Sequence, residues 1–184
     1  GETFINGKEL EENFADIRKT IGYGPQYESA YMSMTVRENL NFYAMLKGIP
    51  KRIRDQAITK LIIDMDLIEF EDVLVGNLSG GNKRKTTVAI ALLGNPPIVL
   101  LDEPSTGVDP QAKRFMWQII QRISTTSKTT AVILTTHSME EAEALCTKMA
   151  IMSTGNFLCI GEPQELKEAF GNGYEIQVSI PSAT

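Results

Sequence analysis

The feature that most limits the fold is Ile98-Val99-Leu100-Leu101-Asp102-Glu103, an apolar run that ends abruptly in two carboxylates. Asn95-Pro96-Pro97 breaks the apolar stretch just before it, so the run reads as a strand. In open α/β sheets, ligands bind beyond the carboxyl ends of the strands. Two acids at that edge suit a hard cation beside phosphate oxygens. Asp102 is placed to coordinate Mg²⁺, and Glu103, one residue further out, to polarise a water for in-line attack on a γ-phosphate. A lone Asp-Glu pair is as readily a solvated turn, so its surroundings have to decide.

Those surroundings alternate strands and helices, which gives the class α/β. Glu2–Ile5 followed by Asn6-Gly7 is a hairpin signal, and Thr20–Gly24 reads as another short strand. Thr35-Val36-Arg37-Glu38 fits a capping box; Val36, Leu40, Tyr43 and Ala44 then repeat at helical spacing until Gly48. Pro50 opens a second helix whose Ile53, Ala57, Leu61 and Met65 are expected to share a buried face. Further on, Ala131–Thr135 reads as a buried strand and Ser138-Met139-Glu140-Glu141 as a capping box for a helix through Cys146. Met149–Met152 and Phe157–Ile160 flank a turn, Pro163 starts a last helix, and Tyr174–Ile180 alternates as a final strand.

Several further residues gather chemistry. Ser79-Gly80-Gly81 supplies a hydroxyl and uncrowded backbone donors at a helix start, an anion site by geometry, although such a triplet is also a common loop. His137 follows the strand Ala131–Thr135 and can reach the same edge as Asp102. Gln26, after Gly24-Pro25, ends another strand, where a simple turn is the plain alternative. Asp109-Pro110 could serve only as N-cap and first helical residue, and Lys83, Arg84 and Lys85 read most simply as a solvated helix face.

Composition narrows the class. A chain of 184 residues, 42% apolar, amounts to about one globular domain. Its net charge of -5, with no basic block beyond Lys83-Arg84-Lys85, argues against a nucleic-acid partner. Cys146 and Cys159 lack metal-type spacing and read as reduced core thiols. The longest apolar stretch, Val88–Leu101, is interrupted and too short to span a bilayer, so any work at a membrane needs other segments to cross it.

Taken together, the motifs resemble the nucleotide-binding domain of ATP-binding cassette (ABC) transporters over nearly the whole chain. Gly24-Pro25-Gln26 resembles the Q-loop, Leu78-Ser79-Gly80-Gly81-Asn82 the signature, and Ile98–Glu103 the Walker B strand with its glutamate. Ser105–Pro110 resembles the D-loop and His137 the switch histidine. Ser79–Lys85, Gly94–Pro97 and His137–Cys146 are similar to the A subfamily, large transporters associated with lipid movement. The resemblance implies an α/β, P-loop NTPase-like ABC ATPase domain, a RecA-like core plus a helical signature subdomain: a partial ATPase domain over residues 1–170, with the helical subdomain at about 33–95, and the start of a C-terminal extension at 171–184.

It implies ATP and Mg²⁺ as cofactors. Glu103, His137 and Gln26 are the expected catalytic residues, Asp102 and Gln26 the metal ligands, and Ser79, Gly80, Gly81, Asn82 and Asp109 the nucleotide contacts. The implied partners are a second such domain, stacked head to tail, and transmembrane domains that alone touch the lipid substrate. The implied place is the cytoplasmic face of a membrane, within an integral transporter. A soluble cassette protein and a non-catalytic dimerisation partner are the other classes, though the coiled-coil heptads of chromosome-maintenance cassettes are missing.

One motif departs from the pattern. The only Gly-Lys pair, Gly7-Lys8, has Glu2 at the earlier glycine position of a Walker A loop and Glu9 at its hydroxyl position. The chain therefore resembles a domain that begins after its own Walker A, N-terminally truncated, and able to offer only half of a site: its signature to ATP on a complete partner, while its own pocket lacks the phosphate nest and lysine.

Overall fold

The computed structural model describes residues 1–126 and 130–171. Two compact units divide between Ser138 and Met139, and every candidate site residue falls in the first.

The first unit opens with an antiparallel hairpin, β1 (Phe4–Ile5) and β2 (Lys8–Glu9). Asn6 and Gly7 turn it with φ of 51° and 74°, the left-handed pair that a two-residue hairpin needs. Helix α1 (Leu10–Ile17) comes next. The sequence reading did not anticipate it, since Leu10, Phe14 and Ile17 mark only two turns and Ile17 alone is buried. Strands β3 (Ile21–Gly24), β4 (Ile98–Asp102) and β5 (Ala131–Thr135) then form a parallel sheet in that order, with α5 (Pro110–Thr126) between β4 and β5. Gly24 pairs with Leu101 and Asp102 with Thr135, so the three strands finish level at one edge.

Helices α2 (Val36–Leu46), α3 (Lys51–Asp64) and α4 (Gly80–Leu92), with 3₁₀ turns at Ile68–Phe70 and Val75–Asn77, occupy the long connection from β3 to β4. The capping box forms as expected: Thr35 Oγ1 accepts from Glu38 N at 3.1 Å, and Glu38 Oε2 accepts from Thr35 N at 2.8 Å. Val36, Leu40 and Ala44 are fully buried, and so is Asn39, whose Nδ2 donates to the carbonyls of Tyr31, Met34 and Thr35. In α3 the buried series is Ile58, Ile62 and Met65, whereas Ile53 is 42% exposed. The expected face Ile53-Ala57-Leu61-Met65 is thus corrected. Steps of four overshoot a turn by about 40° each, so that series turns from solvent at Ile53, through half-buried Ala57 and Leu61, onto the core only at Met65.

Helix α4 is buried from Arg84 through Leu92 with no polar face, which marks it as central. It meets β3 backbone to backbone: a Cβ on Gly22 would lie 2.1 Å from the carbonyl oxygen of Ala91. Val99 and Leu101 are buried on one face of the sheet. On the other, Tyr23 (56% exposed) and Ile133 (59%) flank Leu100 in register. Strand β5 is therefore not the buried strand expected, because it is an edge strand with one face open among the described residues.

The second unit contains α6 (Met139–Leu145), the hairpin β6 (Met149–Ser153) and β7 (Asn156–Gly161), and α7 (Pro163–Phe170) with proline at its first turn. Cys146 and Cys159 are free, half-buried thiols. The expected strand Tyr174–Ile180, and all but the first residue of the expected extension at 171–184, lie outside the described residues.

Candidate active site

Glu103 leaves β4 with φ of 45°, a left-handed conformation that costs a non-glycine residue about 1–3 kcal/mol unless its surroundings fix it. They do fix it. Its N–H donates to the carbonyl of Thr135 at 3.1 Å and to Thr135 Oγ1 at 3.2 Å, and its own carbonyl accepts from Arg84 Nη2 at 2.6 Å. The hydroxyl of Thr135 in turn donates to Asp102 Oδ1. The level ends of β4 and β5 thus hold the two carboxylates side by side.

The Glu103 side chain is bracketed. Thr106 Oγ1 donates to its Oε2 at 2.6 Å, and His137 Nδ1 lies 3.0 Å from the same oxygen. The Thr106 hydroxyl first, and His137 second, hold the Glu103 carboxyl below the usual carboxylate range. His137 itself is exposed. The group is therefore an ionised carboxylate at the solvent-facing edge of the sheet, aimed by a hydroxyl and an imidazole.

Gln26 reaches this edge through its backbone, while its side chain is exposed. Arg84 organises that approach, and here the reading of Lys83-Arg84-Lys85 as a solvated face is overturned: Arg84 is 7% and Lys85 8% exposed. Lys85 Nζ sits 3.3 Å from Asp66 Oδ2 and 4.3 Å from the centre of the Phe115 ring. The Arg84 guanidinium donates to the carbonyls of Pro25, Gln26, Asp102, Glu103 and Pro104 at 2.5–3.0 Å. The sequence held one sign of this. Thr86–Leu93 follows the basic triplet without a polar face, so a helix buried all round must turn some of that charge inward.

The signature residues form a second group. Ser79 caps α4, its Oγ accepting from Asn82 N at 3.3 Å. Ser79 and Gly80 are exposed at the helix mouth, and Gly81 is buried. A Cβ on Gly81 would lie 3.0 Å from Ala112 Cβ and 3.6 Å from Asp109 Oδ2, so the starts of α4 and α5 abut. Asp109 is the N-cap of α5, Oδ1 accepting from Gln111 N at 3.0 Å and Ala112 N at 2.9 Å, which is the structural role weighed for it in the sequence. Asp102, Glu103 and His137 are gathered at the sheet edge, and Ser79–Asn82 with Asp109 at the paired helix starts.

A parallel sheet with carboxylates at its carboxyl edge and a glycine-led helix beside it defines an α/β domain built to handle phosphates. A family model described as "ABC transporter" matches residues 1–106, and the chain belongs to that family. The rat phospholipid-transporting ATPase ABCA3 is 43% identical over 182 residues, which are 99% of this chain and 11% of that protein. The human retinal-specific phospholipid-transporting ATPase ABCA4 is 45% identical over 99% of this chain and 8% of its own length. Rat ATP-binding cassette sub-family A member 2 is 42% identical over 100% of this chain and 7% of its own. The chain thus spans about a tenth or less of these relatives.

Among solved structures, an ATP-binding subunit of an ABC transporter superposes with a TM-score of 0.77 at 26% identity, covering 91% of this chain and 69% of that one. A dimeric ATP-binding cassette bound to ADP and Pi shares the fold with a TM-score of 0.77 at 22% identity, covering 89% and 73%. The fold is that of an ABC ATPase domain, with no helix among the described residues long and apolar enough to cross a membrane.

Proposed function

We propose that these residues are the signature, Q-loop, Walker B, D-loop and switch-histidine portion of an ATP-hydrolysing domain of an A-subfamily transporter. Hydrolysis there drives lipid movement through separate membrane helices, with this domain on the cytoplasmic side. The identity to phospholipid-transporting ATPases over 99% of the chain supports the class and the cargo.

Asp102 is the candidate ligand for Mg²⁺, with the Gln26 amide as a second oxygen donor. Among the described residues no cluster of three or more His, Cys, Asp or Glu could form an all-protein cage. One carboxylate at an open edge fits a cation completed by phosphate and water oxygens, the usual state of Mg²⁺. When bound, the ion would neutralise charge on the β- and γ-phosphates. Glu103 accepts a hydrogen bond from the attacking water at its carboxylate and orients it in line. Thr106 keeps that carboxylate ionised, and His137 steadies the same oxygen.

Ser79 and Gly80 face outward at the positive end of α4, where they serve ATP held by a second domain. The 184 residues contain no Gly-x-x-x-x-Gly-Lys-Ser/Thr, so the nest and lysine for the β- and γ-phosphates of the Glu103 site come from outside them.

The bracketed Glu103 carboxylate carries this reading. With a Walker A segment joined upstream, the chain should hydrolyse ATP, and Glu103→Gln should abolish turnover while leaving ATP binding intact. Turnover undiminished by Glu103→Gln would remove the role from this residue.

A further inference from the structure

Arg84 lies on the signature helix, yet each polar contact described above joins it to the opposite machinery. Its Nε donates to Pro104 O at 2.9 Å; Nη1 donates to Pro25 O at 2.6 Å and Gln26 O at 3.0 Å; Nη2 donates to Asp102 O at 2.5 Å and Glu103 O at 2.6 Å. A guanidinium has five N–H donors in a rigid plane, and here five carbonyls receive them. The acceptors come from two loops: Pro25 and Gln26 follow β3, while Asp102, Glu103 and Pro104 end β4. Pro25 and Gln26 lie beyond Gly24, the last paired residue of β3, whereas Asp102 still pairs with Thr135 and Glu103 keeps one backbone bond to it, so Arg84 ties the unpaired loop to the anchored strand end.

A buried charge is costly unless its donors are satisfied, and a carbonyl cluster does so without fixing a neighbouring acid by an ion pair. The Glu103 carboxylate is held by Thr106 and His137, while Arg84 grips the backbone beneath it. Arg84 thereby sets the backbone of the attack site while sitting about one turn from the Ser79–Asn82 mouth. Any shift of α4 is passed to Gln26 and Glu103 through one rigid fork.

We propose that Arg84 is a positioning residue for ATP hydrolysis, tying the signature helix to the Gln26 loop and to the left-handed turn at Glu103, so that the attack geometry follows the helix that faces the partner's nucleotide. This rests on the reading of Glu103 as the residue that orients the water. Lysine keeps the charge but is a compact point donor without the planar fork, so Arg84→Lys separates positioning from burial of a cation.

Two measurements test the proposal. In hydrogen exchange on the 184-residue chain without nucleotide, Arg84→Lys and Arg84→Gln should raise exchange over residues 25–30 and 103–109 and leave α2 and α3 unchanged. Unchanged exchange in those loops, or an even rise throughout the chain, would overturn it; should Arg84→Gln not fold, Arg84→Lys decides. With a Walker A segment upstream, Arg84→Lys should keep the KM for ATP and lower kcat by on the order of 10²-fold, the scale of a small misplacement at a reacting centre. Wild-type kcat in Arg84→Lys alongside an inactive Glu103→Gln would also overturn it. If Glu103→Gln itself turned over freely, the Glu103 reading would fail, and the exchange pattern alone would then decide Arg84.

Discussion

His137 Nδ1 and Thr106 Oγ1 converge on one oxygen of Glu103, at 3.0 Å and 2.6 Å. They come from different strand ends, and their meeting depends on the register that pairs Asp102 with Thr135. The sequence places the acid and the histidine at the same sheet edge but does not foretell Thr106, which lies in the turn that Glu103 itself begins.

A pH experiment follows directly. The folded-state pKa of Glu103 is depressed, chiefly by the Thr106 hydroxyl and then by His137. Its ionisation therefore stabilises the fold above the ordinary carboxylate pKa of about 4.3, and that stabilisation disappears as pH falls through the lowered folded value. In metal-free buffer, ¹³C-detected titration should show Thr106→Val raising the Glu103 midpoint more than His137→Ala does. An unmoved midpoint in Thr106→Val would contradict the assignment.

Packing of α4 on β3 should be intolerant of volume. Gly22→Ala would drive a methyl into the Ala91 carbonyl, and overpacking of this kind costs about 1–3 kcal/mol or more. Gly80→Ala meets only the Gly107 carbonyl, at 3.9 Å, and should change stability little or raise it slightly. Urea unfolding of both variants checks the contrast, and equal midpoints would show that the close approach is not rigid.

Local signals in the chain were legible and tertiary ones were not. The Thr35–Glu38 capping box, the Asn6-Gly7 turn and Pro163 at a helix start are settled within a few residues, and each appears where the sequence places it. The burial of Arg84 depends on carbonyls 18 to 20 and 58 to 59 positions away, which no local period reports. The core face of α3 slipped for a related reason. Two apolar series run along that helix, and the packing of α2 and α4 selects Ile58-Ile62-Met65. The open face at Tyr23, Leu100 and Ile133 is a third case, since an apolar strand reads alike whether one or both faces are covered.

Nucleotide affinity should be weak in these residues alone. Without a phosphate nest and its lysine, isothermal calorimetry on the 184-residue chain should show no MgATP binding at micromolar concentrations. A Kd near 1 μM, about -8 kcal/mol, would mean that other groups hold the phosphates.

The central claim is that the two groups of site residues serve different nucleotides: Ser79 and Gly80 a partner's, Asp102 and Glu103 the chain's own. Gly80→Asp tests it better than a change at Gly81, because Gly81 is packed against Ala112 and Asp109 and would report damage within the chain. The decisive measurement is ATP-dependent association of this chain with a complete cassette domain that carries its own Walker A. Gly80→Asp sets a carboxylate against the partner's γ-phosphate. Loss of one charge-assisted hydrogen bond, about 1.5–3 kcal/mol, already weakens association roughly tenfold or more before repulsion is added. Association should therefore collapse in Gly80→Asp and remain near wild type in Glu103→Gln. Equal loss in both variants, or none in either, would contradict the division of the site.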